Sequence, residues 1–102
     1  MIKIYDKASW HIDAGEGKDE VLTKLNIVFG FLNDNGLLSD EGEEIFGLGI
    51  DTSCSLNENM VTAEGKYFLD TKYDLIINCS SAEIADKLKE LMEVYQREKE
   101  PT

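Results

Sequence analysis

The sequence has few of the residues that mark secreted, metal-binding or membrane proteins. Cysteine occurs only at Cys54 and Cys79, too few for a disulfide framework and without the C-x-x-C spacing of redox or zinc sites. Proline occurs once, at Pro101, and histidine once, at His11. The longest apolar stretch, 27–32, is too short to cross a bilayer, and no signal peptide is visible. We therefore expect a cytoplasmic protein that holds no cofactor and no metal.

Basic residues are also scarce, since ten Lys and Arg face 21 Asp and Glu and leave a net charge of -11. Such a charge repels phosphate backbones and anionic membrane surfaces, and it attracts basic partners. We therefore expect neither nucleic-acid nor membrane binding. The length of 102 residues leaves room for one domain, and an apolar share of 42% predicts a folded chain.

Two segments have clear helical signals. Apolar residues between Val21 and Leu32 recur at i, i+1, i+4, i+7, i+8 and i+11, which is one stripe of a helix. Asn35-Gly36 follows as a left-handed C-cap. Near the other end, Ser80-Ser81-Ala82-Glu83 matches a capping box and precedes a second apolar stripe. We predict helices over 19–35 and 80–97.

Two shorter segments between them resemble each other. Residues 39–42 read Ser-Asp-Glu-Gly and residues 62–65 read Thr-Ala-Glu-Gly, and an apolar pair follows each of them. A hydroxyl N-cap followed by an acid in the first turn is typical of a helix start. We predict helices over 39–47 and 62–77. The alternative is an α+β fold with a β-meander over 53–78, because Ala63-Glu64-Gly65-Lys66 also suits a hairpin turn.

The N-terminal residues follow a different pattern. Apolar side chains occupy even positions from Ile2 to Ile12, and only Asp6 breaks the alternation. This predicts a half-buried strand or an extended arm laid over the helices, with Trp10 as its anchor. Gly15 and Gly17 then provide a flexible joint.

The predicted fold is a single, mostly α domain over 1–102, built from four helices and an extended N-terminal arm or short strand. The candidate core residues are apolar members of the helical stripes. They are Leu25, Phe29, Leu32, Phe46, Phe68, Leu69, Leu88 and Leu91.

One heptapeptide carries a family resemblance. Tyr5-Asp6-Lys7-Ala8-Ser9-Trp10-His11 resembles the Y-D-x-A-S-W-H opening of small, uncharacterised bacterial proteins. In those proteins, a helix with a Phe-Leu pair and a Gly-Leu turn follows, and the likeness covers about the first forty residues. The resemblance implies a compact, soluble bacterial protein and implies no activity.

A catalytic or metal site is conceivable around Ser9, His11 and Asp13. On a strand these side chains would share one face, but neighbours at i and i+2 stand about 7 Å apart. A nucleophile and its base must instead meet at hydrogen-bonding distance. A metal site would lack a second histidine. We therefore expect no enzyme.

The acidic residues are concentrated in one part of the chain. No Lys or Arg occurs between Lys24 and Lys66. The acids in this interval are Asp34, Asp40, Glu41, Glu43, Glu44, Asp51, Glu58 and Glu64. Leu48, Ile50, Leu56, Met60 and Val61 lie among them. Acidic groups with apolar neighbours are typical of a surface that docks on a basic protein. The alternative is a solvated face that keeps the protein soluble.

The proposed partner-binding residues are six of these carboxylates. They are Asp40, Glu41, Glu43, Glu44, Asp51 and Glu58. The first functional hypothesis is a non-enzymatic acidic protein that binds a basic protein, as an immunity or inhibitor protein against a basic bacterial toxin would. The second is a small accessory or regulatory domain. The third is a hydrolase or metal site around Ser9, His11 and Asp13.

Overall fold

A computed structural model describes residues 2–99, which form five helices and one two-stranded antiparallel sheet. The elements in chain order are β1 (Ile4–Lys7), α1 (Ala8–Asp13), α2 (Lys18–Asp34), α3 (Asp40–Leu48), β2 (Ser55–Asn57), α4 (Ala63–Lys72) and α5 (Ser81–Lys99). Short 3-10 turns occupy Glu58–Met60 and Tyr73–Leu75. The prediction of a mostly α fold with four principal helices is confirmed. Pro101 lies outside the described residues.

The end of α2 has the predicted left-handed cap. Gly36 has a φ of +68°, a backbone conformation that glycine adopts without steric cost. The Gly36 N–H donates to the Asn33 carbonyl at 3.1 Å, and the Leu37 N–H donates to the Leu32 carbonyl at 2.8 Å. This pair of bonds is the Schellman motif, which satisfies the last carbonyls of the helix. The chain therefore leaves α2 in a defined direction toward α3.

A carboxylate of α2 caps the start of α5. Glu20 accepts hydrogen bonds from the Ser81 N–H at 2.7 Å and from the Ser81 hydroxyl at 2.6 Å. These bonds, the hydroxyl's first, lower the pKa of Glu20 below its ordinary value. Ser80 donates its hydroxyl to Glu83 at 2.9 Å, within the predicted capping box. The first turns of α2 and α5 therefore lie side by side, and the two helices run in parallel.

Of the two alternatives predicted for the N-terminus, the short strand is confirmed: β1 spans Ile4–Lys7 and pairs with β2. The alternative meander over 53–78 does not form, because α4 occupies Ala63–Lys72. A register irregularity between Ile4 and Asp6 turns Tyr5 and Asp6 inward and leaves Ile2 and Ile4 at the surface.

Residues after the strand form α1, and Trp10 does not anchor them. Its side chain is 47% exposed, so that prediction was wrong. Ala8 and His11 are the buried members of α1, and Ile12 is half-buried. Their spacing of i, i+3 and i+4 matches a helix, and this competed with the alternation that predicted a strand.

The helix predicted over 62–77 ends earlier, at Lys72. The Tyr73 carbonyl accepts from both the Ile76 and Ile77 N–H groups at 3.0 Å, which tightens the chain into a turn. Tyr73 and Ile76 are both buried in the core, and the Tyr73 hydroxyl bonds to Asp6. These contacts with distant parts of the chain bring the helix to its end before the capping box of α5.

The core follows the predicted stripes. Seven of the eight predicted core residues are buried. Phe46 is half-buried, and its ring stacks on Phe29 with centroids 6.4 Å apart. Phe68 contacts both Phe31 and Tyr95 at 5.6 Å between centroids. The aromatic contacts therefore tie α2, α4 and α5 together.

The two similar segments, 39–42 and 62–65, are paired through equivalent contacts. Leu38 and Val61 form an antiparallel bridge. The Ser39 N–H donates to the Met60 carbonyl, and the Thr62 N–H donates to the Leu37 carbonyl. Ser39 and Thr62 cap α3 and α4, each accepting from the N–H of the glycine three residues on. The resemblance seen in the sequence therefore corresponds to two paired helix starts.

Asp70 ties the N-terminal strand to α4. It accepts hydrogen bonds from Lys3 at 2.8 Å, from the Tyr5 hydroxyl at 2.5 Å and from Lys66 at 3.0 Å. The bonds from Lys3 and Tyr5 hold the pKa of Asp70 well below its ordinary value of 3.8. Burial, aided by Asp70, raises the pKa of Tyr5 well above its ordinary value.

Substitution of Asp70 is expected to change how stability depends on pH. A lowered folded-state pKa means that the stabilisation is complete above the unfolded-state pKa and is lost as the pH falls below it. Asp70→Asn should therefore lower the free energy of unfolding at pH 7, and its difference from wild type should shrink below about pH 4. Urea unfolding at pH 7, 5 and 3 measures this. Asp74→Asn, which removes an exposed carboxylate without a salt bridge in the described structure, should show no such trend. A constant difference for Asp70→Asn would contradict the assignment.

Candidate functional site

The surface of α3 carries the densest group of predicted binding residues. Asp40, Glu41, Glu43 and Glu44 are all exposed. Among the side chains described, those of residues 2–98, no cation lies at salt-bridge distance from any of them. Glu41, Glu44 and Leu48 are spaced i, i+3 and i+7, and they therefore share one face of the helix. Leu48 is 78% exposed, the highest value among the large apolar residues described.

A cavity of about 270 Å³ opens beside this helix. Its walls come from the end of α3, the loop after it and the 3-10 turn before α4. They are Ile45, Leu48, Gly49, Asp51, Ser53, Cys54, Ser55 and Met60. Leu48 therefore belongs both to the exposed face of α3 and to the wall of the cavity. We call α3 together with this cavity the acidic site.

Asp51 is held in position at the edge of the cavity. Its carboxylate accepts from the Ser53 hydroxyl at 2.6 Å and from the Ser53 N–H at 2.9 Å. These bonds lower the pKa of Asp51, so the group stays ionised. Burial, with the charge of Asp51, raises the pKa of Cys54 to about 11. The thiol form therefore predominates at neutral pH, and the thiolate is the form that acts as a nucleophile.

Glu58, the sixth predicted residue, is in different surroundings. It lies in the 3-10 turn and is 4.0 Å from Lys66, which also binds Asp70. Its charge is therefore partly balanced within the fold. The 3-10 turn packs on α3, and the Met60 carbonyl lies against Gly42. Glu58 therefore belongs to the border of the acidic site, whereas the carboxylates of α3 form its exposed centre.

A second group of polar side chains lies in the interior and was missed from the sequence. Asp6 accepts from the Tyr73 hydroxyl at 2.5 Å and lies 2.7 Å from Nε2 of His11. Nδ1 of His11 lies 2.5 Å from Glu16, and Glu16 lies 3.5 Å from Lys24. We call these five residues the polar network. The one available signal was Asp6, the polar residue that interrupts the N-terminal alternation.

The members of the polar network are arranged around His11. Each of its ring nitrogens faces a carboxylate oxygen, Nε2 that of Asp6 and Nδ1 that of Glu16. Partial burial acts to raise the pKa of Glu16, but the hydrogen bond from His11 and the charge of Lys24 lower it overall. Burial, with the charge of Asp6, raises the pKa of Tyr73, which keeps its proton as a donor. These bonds connect β1, α1, α2 and the turn after α4.

The structure does not bring Ser9, His11 and Asp13 together. They lie on a helix, where positions i and i+4 share a side and i+2 points away. Ser9 and Asp13 are exposed, and His11 is buried against Asp6 and Glu16. No pair of nucleophile and base exists among these three side chains. Among the described side chains, no group of three or more His, Cys, Asp and Glu is arranged to hold a metal ion.

Comparisons with protein-family models, curated proteins and solved structures find no match for this chain. Within residues 2–99, no helix is both long enough and apolar enough for a membrane span. The fold and the site together define a small, mostly helical domain with an exposed acidic helix beside a cavity.

Proposed function

We propose that this chain is a non-enzymatic, acidic protein that binds a basic protein partner through the acidic site. One observation carries the proposal: four carboxylates of α3 stand exposed with no salt bridge to any cation of residues 2–98, and Leu48 is 78% exposed on the same helix. Charges of one sign steer the encounter with an oppositely charged partner, and apolar anchors slow its dissociation. The cavity beside Leu48 offers space for a side chain of that partner.

The class of protein that fits this surface is an immunity or inhibitor protein that neutralises a basic bacterial toxin in the cytoplasm. Such a protein needs a stable scaffold and a complementary face, and it needs no catalytic group. The size of the domain, its charge of -11 and the exposure of α3 support this class. The same charge disfavours nucleic acids and anionic membrane surfaces as partners.

A small accessory or regulatory domain is the second candidate. Asp40, Glu41 and Glu43 lie in the first turn of α3. Negative charges at that position stabilise the helix dipole. These three acids therefore have a role in holding α3 even without a basic partner, and in this case the partner would bind elsewhere.

The decisive experiment begins with affinity isolation from the native host, using the full chain at low and at high salt. A basic partner held by the acidic site should be retained at low salt and released as salt rises, because screening weakens attraction between exposed charges. The isolated partner is then purified for kinetic measurements.

Removal of the carboxylates of α3 should slow association with that partner. We expect the triple variant Glu41→Gln, Glu43→Gln, Glu44→Gln to lower the association rate constant about tenfold at low ionic strength, because electrostatic steering is lost. The dissociation rate should change less. Surface plasmon resonance at two salt concentrations measures both constants, and circular dichroism verifies that the helical content is unchanged.

A matched triple variant controls for net charge. Asp13→Asn, Asp74→Asn, Asp86→Asn removes three exposed carboxylates elsewhere on the molecule and should leave association nearly unchanged. Equal slowing by both variants would show that only total charge matters. Normal binding by the α3 variant would favour the accessory domain and reject the acidic site.

A further inference from the structure

A groove between α2 and α5 lies outside the acidic site. It has a volume of about 550 Å³, within the range of known ligand sites. Ile27 and Phe31 line it from α2, and Leu88 and Met92 line it from α5. It shares no lining residue with the acidic site, so it is an independent surface.

The groove exists because α2 is apolar on more than its core-facing side. The buried stripe of α2 includes Leu25, Phe29 and Leu32. Ile27 and Phe31 lie four residues apart beside this stripe. Both pack partly on the core, Phe31 against Phe68, and both stay half-buried. The part of their surface that the core leaves uncovered lines the groove.

The shape of the groove suits a helix. Its α2 wall runs from Asn26 to Asn35, a length of about 14 Å, or two to three helical turns. Asn26 and Asn35 donate their side-chain amides to carbonyls of their own helix, at 2.9 and 2.8 Å. These two hydrogen bonds therefore direct the amide donors toward α2 and away from an incoming ligand.

The charges at the rim select a cationic occupant. Asp34 and Glu93 line the groove, are exposed and form no salt bridge with the side chains of residues 2–98. Lys89 is the one cation among the residues that line the groove. The whole chain adds a strongly negative field. We propose that this groove binds an amphipathic helix of a partner protein, with Lys or Arg flanking its apolar face. Helix-in-groove binding of this kind uses anchors at i, i+3 or i+4, and i+7.

Two methionines allow binding at the groove to be distinguished from binding at the acidic site. Met92 lines the groove and Met60 lines the acidic site. In a protein labelled with ¹³C at the methionine methyl groups, each site therefore has its own NMR signal. The probes are three 14-residue peptides: a Leu/Lys amphipathic helix, the same peptide with Glu in place of Lys, and a scrambled Leu/Lys peptide without an apolar stripe.

The Leu/Lys helix should shift the Met92 signal to saturation, and the Glu and scrambled peptides should bind at least about tenfold more weakly there. Asp34→Lys with Glu93→Lys should lower the affinity at Met92 for the Leu/Lys helix about tenfold. Asp13→Lys with Asp74→Lys, which changes the net charge equally, should lower it much less. A shift of Met60 alone would support binding at the acidic site and overturn the groove proposal.

Three further outcomes would also overturn it. The Met92 signal could stay still with every peptide, or the scrambled peptide could bind as tightly as the helix. The signal could also move with protein concentration alone, which would identify a second copy of this chain as the occupant. Each of these results leaves the kinetic test of the acidic site unaffected.

Discussion

Replacement of Asp6 by alanine is expected to lower the free energy of unfolding by about 2–6 kcal/mol, because it leaves two buried polar groups without their partner at about 1–3 kcal/mol each. Asp6 is 2% exposed and accepts from Tyr73 and from the Lys7 N–H, with His11 2.7 Å away. The variant leaves the Tyr73 hydroxyl and one ring nitrogen of His11 without their partner. Chemical denaturation at pH 7 measures the loss.

Asp13→Ala is the matched control, because it removes an exposed carboxylate from the same N-terminal segment. A surface change of this kind should alter stability by no more than about 0.5 kcal/mol. The double variant Asp6→Ala with Tyr73→Phe tests the contact directly, since its cost should be smaller than the sum of the single costs. A loss below about 1 kcal/mol for Asp6→Ala would mean that the polar network does not hold the N-terminal segment.

Gly42→Ala is expected to destabilise the fold by about 3 kcal/mol, the upper part of the range for overpacking. A Cβ at Gly42 would lie 2.0 Å from the Met60 carbonyl oxygen and 2.9 Å from its carbon. Both atoms belong to the backbone, so no side-chain rotation relieves the overlap. Separation of α3 from the turn would break the Ser39–Met60 hydrogen bond and weaken the Leu38–Val61 bridge.

Gly47→Ala provides the control within the same helix. A Cβ at Gly47 would meet nothing within 4 Å, so the helix preference of alanine should stabilise the protein by up to about 1 kcal/mol. Gly65→Ala should repeat the effect of Gly42→Ala, because its Cβ would lie 2.6 Å from the Leu37 carbonyl oxygen. Thermal unfolding of the three variants compares them. Equal melting temperatures for Gly42→Ala and Gly47→Ala would contradict the paired helix starts.

The candidate sites differ in how far local patterns could reveal them. The acidic residues of α3 were visible because they cluster in sequence and share one helix. The polar network was not, since its members lie as far apart as Asp6 and Tyr73. The heptapeptide Tyr5–His11 supplies Tyr5, Asp6, Ala8 and His11 to the interior, whereas Trp10, its most conspicuous residue, stays half exposed.

The sequence by itself determined the four principal helices, most of the core and the caps at Ser39, Thr62 and Gly36. These features depend on interactions within a few residues, so periodicity and capping chemistry are enough to predict them. The tertiary structure alone decided where α4 ends, which face of β1 turns inward and what Asp6 binds. Each of those outcomes depends on a partner dozens of residues away. It also decided that Leu48 lies exposed beside the acids of α3 and forms a wall of the cavity.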